Sequence, residues 1–134
     1  MSVAGEVIGS IGGGLCVFVG ATHSDTDATA AALAAKVWHL RILDDDRGMM
    51  NRSLAEAGGA ILVVSQFTLY GDTARGRRPS WAAAAPPELA QSLIEAFTRA
   101  LRELGAEVAT GRFRAEMQVA LINDGPVTLV LEVE

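Results

Sequence analysis

Residues 60–72, AILVVSQFTLYGD, decide how this chain is read. Ile61 to Val64 form an uninterrupted apolar run, the mark of a buried strand. The run stops at Ser65 and Gln66, with Phe67 and Thr68 next. A strand that delivers polar groups at its end is a common way to build a site. On spacing alone an ordinary strand terminus is the favoured reading, because polar residues commonly close strands.

The flanks of this strand are helical. Upstream, SDTDATAAALAAKVWHLRIL (24–43) is alanine-rich, with Ala30, Leu33, Val37 and Leu40 on one face and Ser24 with Asp27 as a capping pair. Downstream, PPELAQSLIEAFTRALRELG (86–105) repeats Leu89, Leu93, Phe97 and Leu101 at i, i+4; Pro86 and Pro87 suit its start and Gly105 its stop. At the N-terminus, GEVIGSIGGGLCVFVGA reads as two strands joined in a hairpin at Gly12–Gly14. EVATGRF and the runs MQVALI and VTLVLEV read as strands at the other end. The predicted order is ββ-α-β-β-α-βββ, an α/β fold with two main helices in a single domain over 1–134.

Composition narrows the function. The chain has 134 residues, half of them hydrophobic, enough for one domain with a core. Gly or charge interrupts every apolar stretch short of a membrane span, and no basic-then-apolar leader opens the sequence. A cytoplasmic protein without membrane partners is expected. Cys16, the one cysteine, lies in the apolar run LCVFVG and reads as an inert thiol. A net charge of -5 argues against wrapping nucleic acid with a broad basic face. A local contact stays open, because Arg75, Arg77 and Arg78 gather in the loop-like ARGRRPSW. The triple glycine lacks the Lys-Ser/Thr of a phosphate loop. His23 and His39 have no partner at metal-ligand spacing, so no metal is expected, and no cofactor motif is present. Asp44–Asp46 beside Arg47 and Gly48 looks like a turn. The usual catalytic toolkits are missing, so any reaction would rest on positioning and backbone dipoles.

NDGPVT, residues 123–128, lies between the last two apolar runs. Asp-Gly alone supplies a turn. Pro126 further removes a backbone donor and restricts Gly125.

Taken together, SQFTLYGD, GRRPSW and RAEMQVALINDGPVT resemble the D-aminoacyl-tRNA deacylase family, from about Val3 to the C-terminus. The resemblance implies a mixed, largely antiparallel, barrel-like sheet core. It implies a homodimer without cofactor that hydrolyses the ester joining a D-amino acid, or glycine, to the 3′ end of tRNA. Ser65, Gln66, Phe67 and Thr68 would surround the aminoacyl ester and its terminal adenosine. Gly125 and Pro126 match a Gly-cis-Pro peptide that reaches into the partner's pocket, and Met117 and Asn123 would belong to the same chiral selection. A cis X-Pro bond is a minority state kept for a reason; its carbonyls would engage the substrate amino group and leave no room for an L side chain. An amide near Phe67 would stabilise the oxyanion. Thr68 would act either as a nucleophile or as a pocket hydrogen-bonding group, the second being preferred because no base is visible to activate it, and the resemblance also allows the tRNA 2′-hydroxyl to assist. Arg75, Arg77 and Arg78 would contact acceptor-stem phosphates.

Two departures follow. Family members open with one more strand, carrying a basic residue, ahead of the segment matched by Ser2–Gly9. The expectation is therefore either a start placed downstream of the natural one or an exposed sheet edge. Arg114 stands where the family typically has glycine. A sister activity on L-alanyl-tRNA, with the Gly-Pro peptide trans, and a silent dimer are the rival readings.

Overall fold

Strand β6 (Ala60–Ser65) is the axis of the fold in the computed structural model, which describes residues 1–125 and 127–134. It is flanked by β3 (Gly14–Val19) and β7 (Glu107–Thr110), and both neighbours run parallel to it. A central parallel strand is covered on both faces, so it is apolar at every position. Ala60 through Val64 are buried without exception.

The period of two then sorts those side chains. Ile61 and Val63 face the helices α1 (Asp27–His39) and α3 (Pro87–Glu103), meeting Ala34, Val37, Trp38, Phe97 and Leu101. Leu62 and Val64 face the other way, onto Met1, Ile8, Ile11, Met117 and Val119. Both helices lie on one face because β3→β6 and β6→β7 cross over in the same direction, and such connections share one hand.

Both long helices form where the spacing predicts. α3 starts with Pro86 as its cap and Pro87 at its first position. It ends in a Schellman motif: Gly105, at φ +105°, donates to the Arg102 carbonyl, and Ala106 to that of Leu101. In α1 the cap is Thr26 and not Ser24. The Thr26 hydroxyl accepts from the Thr29 amide, and the Thr29 hydroxyl accepts from the Thr26 amide, closing a capping box.

Between α1 and β6 the chain makes a short antiparallel pair, β4 (Leu43–Asp44) with β5 (Met50–Arg52), and a single-turn helix α2 (Leu54–Ala57). The acidic run is the predicted turn. The Asp45 carboxylate accepts from the amides of Arg47 (2.8 Å) and Met49 (3.0 Å), and these bonds hold its pKa below the ordinary value.

Three strand expectations change. The first hairpin is not made across Gly12–Gly14: β1 (Ser2–Val3) pairs with β2 (Glu6–Val7) around Ala4 and Gly5, both at positive φ. That is the geometry a two-residue turn needs, and it leaves β3 free to pair with β6. The second change is that the main sheet is parallel and not largely antiparallel; among the described residues, antiparallel pairing is confined to the short β1–β2 and β4–β5 pairs and isolated bridges. The third concerns the two runs around NDGPVT, whose described residues form no assigned strand, although Ser2 and Gln118 make an antiparallel bridge of 2.8 and 2.9 Å. The α/β class stands.

Cys16 is half-buried in the second core face, where burial raises its thiol pKa against the smaller opposing pull of the N-terminal ammonium. That disfavours the reactive thiolate.

Candidate active site

The C-terminal end of β6 builds the site. Ser65 still pairs with Val19, and the Gln66 amide donates to the Val19 carbonyl at 2.8 Å. Gln66 then leaves the strand at φ -141°, ψ 81°, and Phe67–Tyr70 turn into a 3-10 helix. Gly20, at the end of β3, allows this: a Cβ there would stand 3.0 Å from the Gln66 carbonyl oxygen and 3.2 Å from the Tyr70 ring. Tyr70 stays protonated, its pKa raised by burial and further by the Asp25 and Glu132 carboxylates.

Within the turn, the Gln66 side-chain amide donates to the Thr68 hydroxyl oxygen. An amide N–H cannot take a proton from that hydroxyl, so this contact orients Thr68 without activating it. The first hydrogen bond inside the turn runs from the Leu69 amide to the Gln66 carbonyl. The amides of Phe67 and Thr68 therefore precede the turn's own ladder, as the first N–H groups of any helical turn do.

Beyond the turn, Gly71 packs under Trp81, where a Cβ would meet the indole at 2.5 Å. Asp72 and Ser80 exchange two backbone hydrogen bonds of 2.8 Å, which pinch off the loop carrying Arg75, Arg77 and Arg78. The far side of that loop is tied to the start of α1. The Thr22 hydroxyl donates to the Ala83 carbonyl at 2.6 Å, and the His23 imidazole Nε2 lies 2.7 Å from that of Ala82. The three arginines are exposed.

A cleft of about 700 Å³ opens beside β6, between α3 and the segment after β7. Ser65, Thr98, Arg102, Thr110, Phe113 and Met117 are among its walls. Ser65 and Met117, far apart in sequence, thus share one cavity. Gln66, Phe67 and Thr68 stand next to it on the turn and do not line it. Gly111 leaves room for the sulfurs of both Met1 and Met117, which would lie 2.5 Å from a Cβ there.

Asn123 and Gly125 lie elsewhere, on an exposed reversal in which the Asn123 side-chain amide donates to the Thr128 hydroxyl at 3.0 Å. Gly125 has φ +136°. Pro126, and with it the expected cis peptide, lies outside the described residues. Arg114 has φ +65°, the left-handed region that glycine enters without strain, so the glycine expected there from the resemblance would suit a backbone that here holds an arginine.

The cleft residues Thr98, Arg102 and Phe113 were not anticipated. Thr98 carried a signal: it is a polar residue within the apolar pattern of α3, and it is buried. Among the described residues, no three His, Cys, Asp or Glu side chains are placed to hold a metal. No helix of the described residues is long and apolar enough to cross a membrane.

The profile of the D-Tyr-tRNA(Tyr) deacylase family matches residues 1–132. A D-aminoacyl-tRNA deacylase of Nocardia farcinica is 62% identical over 135 residues, covering 98% of this chain and 91% of its own. One from Thermus aquaticus is 56% identical over 132 residues, covering 98% and 87%. Among solved structures, the c-Myc DNA Unwinding Element Binding Protein superposes with a TM-score of 0.90 at 37% identity, over 99% of this chain and 91% of its own. A probable eukaryotic D-amino acid tRNA deacylase shares the fold at a TM-score of 0.61 and 17% identity, over 76% and 75%. With the profile spanning nearly every residue, this chain belongs to the D-Tyr-tRNA(Tyr) deacylase family.

Proposed function

We propose that the chain, as one domain over residues 1–134, hydrolyses the ester between a D-amino acid and the 3′ end of tRNA, releasing both. The observation that carries this is the full-length family match together with SQFT at the exposed end of the central strand. An aminoacyl ester is already activated, so a positioned water and an oxyanion donor suffice, with the Phe67 amide as that donor. Thr68 holds the substrate by hydrogen bonding, and the tRNA 2′-hydroxyl assists. Free glycine is released from glycyl-tRNA by the same site, because glycine has no side chain to exclude. No cofactor takes part.

The working unit is a homodimer in the cytoplasm. Gly125 and Pro126 of one copy act as the chiral gate in the other's pocket, with Met117 and Asn123 beside the substrate amino group. Two features support this arrangement. Met117 shares a cleft with Ser65, and the segment bearing the gate exposes Ile122 (91%) and Val130 (89%), apolar surface that a second copy would cover. Arg75, Arg77 and Arg78 meet acceptor-stem phosphates.

The test is release of free amino acid from D-tyrosyl-tRNA and L-tyrosyl-tRNA by the purified chain. Selective release of the D form is expected, with glycyl-tRNA also hydrolysed. Equal rates on the two stereoisomers, or no release from either, would overturn the reading.

A further inference from the structure

We infer that Trp81 is a stacking surface for an unpaired nucleobase of the RNA strand that carries the ester. This rests on the deacylase reading and adds a binding residue to it.

The two tryptophans of the chain differ. Trp38 is 8% exposed and belongs to the core, whereas Trp81 is 41% exposed. Beside Trp81 is Phe67, 53% exposed, with ring centroids 5.3 Å apart and planes at 67°. An edge-to-face pair is a favoured aromatic geometry that holds the two rings against each other. Gly71 leaves room for the pair, since a Cβ there would stand 2.5 Å from the indole. The mounted rings stand at the same end of the sheet as Ser65, and Trp81 directly follows the Asp72–Ser80 bridge that closes the three-arginine loop.

Aromatic surface beside clustered arginine, on a chain of net charge -5, fits one occupant best. Unpaired nucleotides offer both a π-face for stacking and phosphates for the guanidinium groups. A closed duplex offers only the phosphates. The deacylase substrate ends in single-stranded RNA, so its last bases are the natural occupants.

The experiment uses unacylated RNA and needs no hydrolysis, so its failure leaves the release assay above untouched. The full chain is titrated with a stem-loop RNA bearing four unpaired 3′ nucleotides, and with the same stem-loop blunt-ended, while tryptophan emission is followed. The tailed RNA is expected to quench emission, and the blunt one to leave it unchanged. Trp81→Phe should abolish the quenching, since only buried Trp38 remains, and keep affinity within about threefold by a separate binding assay. Trp81→Ala should weaken binding of the tailed RNA by about 5- to 150-fold; unchanged circular dichroism verifies that the fold is intact. Wild-type affinity in Trp81→Ala, equal quenching by blunt RNA, or an emission change with protein concentration alone, which would mean that a second copy covers Trp81, would each overturn the inference.

Discussion

On one face of the sheet, Ile61 and Val63 meet two long helices. On the other, Leu62 and Val64 meet Met1, Ile8, Ile11, Met117 and Val119, supplied by short stretches from both ends of the chain. The first face is finished by elements that carry their own caps and apolar stripes. The second depends on segments that form no long helix and meet each other through the Ser2–Gln118 bridge, and their continuation leaves Ile122 and Val130 in water. Folding and assembly are thereby divided: the helical face holds the protomer together, while the opposite end of the chain carries the apolar surface proposed to meet a second copy.

Three substitutions press on that contrast. Phe97→Ala, at the centre of the helical face, should lower unfolding free energy by about 3–5 kcal/mol, read from urea denaturation. A loss below about 1 kcal/mol would break the contrast. Ile122→Asp should leave protomer stability within about 0.5 kcal/mol, as an exposed position does, yet weaken self-association at least tenfold, about 1.4 kcal/mol. Sedimentation over a concentration series checks it, and an unshifted midpoint would remove Ile122 from the interface. Arg114→Gly should raise stability by about 1 kcal/mol or less, because the relief of left-handed strain is partly offset by glycine's larger unfolded entropy. Thermal unfolding measures it, and a lower Tm would show that the arginine side chain makes compensating contacts.

The helical face was legible because its information is local. The Leu93, Phe97, Leu101 spacing, the prolines ahead of it and Gly105 behind it each specify one feature of α3. Thr26 was harder, since Ser24 offers the same chemistry two residues earlier and only the backbone decides which hydroxyl meets an amide. The N-terminal hairpin was misread because Gly12–Gly14 is a stronger turn signal than Ala4-Gly5, although the latter makes the turn. Pairing of β3 was invisible for a different reason: its partner lies beyond α1, and no local pattern encodes a distant parallel register. In the site, the polar stop at Ser65 and Gln66 was readable from the strand. The cleft was not, because its walls come from α3 and the segment after β7, which meet only in the folded chain.

The parallel pairing of Gly14 with Ala60, and of Ala60 with Glu107, has a consequence for how the protein is made. As the chain leaves the ribosome, β3 emerges with no neighbour and must wait for β6, which must in turn wait until α3 has been synthesised before β7 covers its other edge. Contacts so remote in sequence fold slowly and leave strand edges open meanwhile. The run from Ala60 to Val64, buried throughout in the finished sheet, therefore keeps one edge open until β7 has been made, an aggregation hazard while the protein is being synthesised.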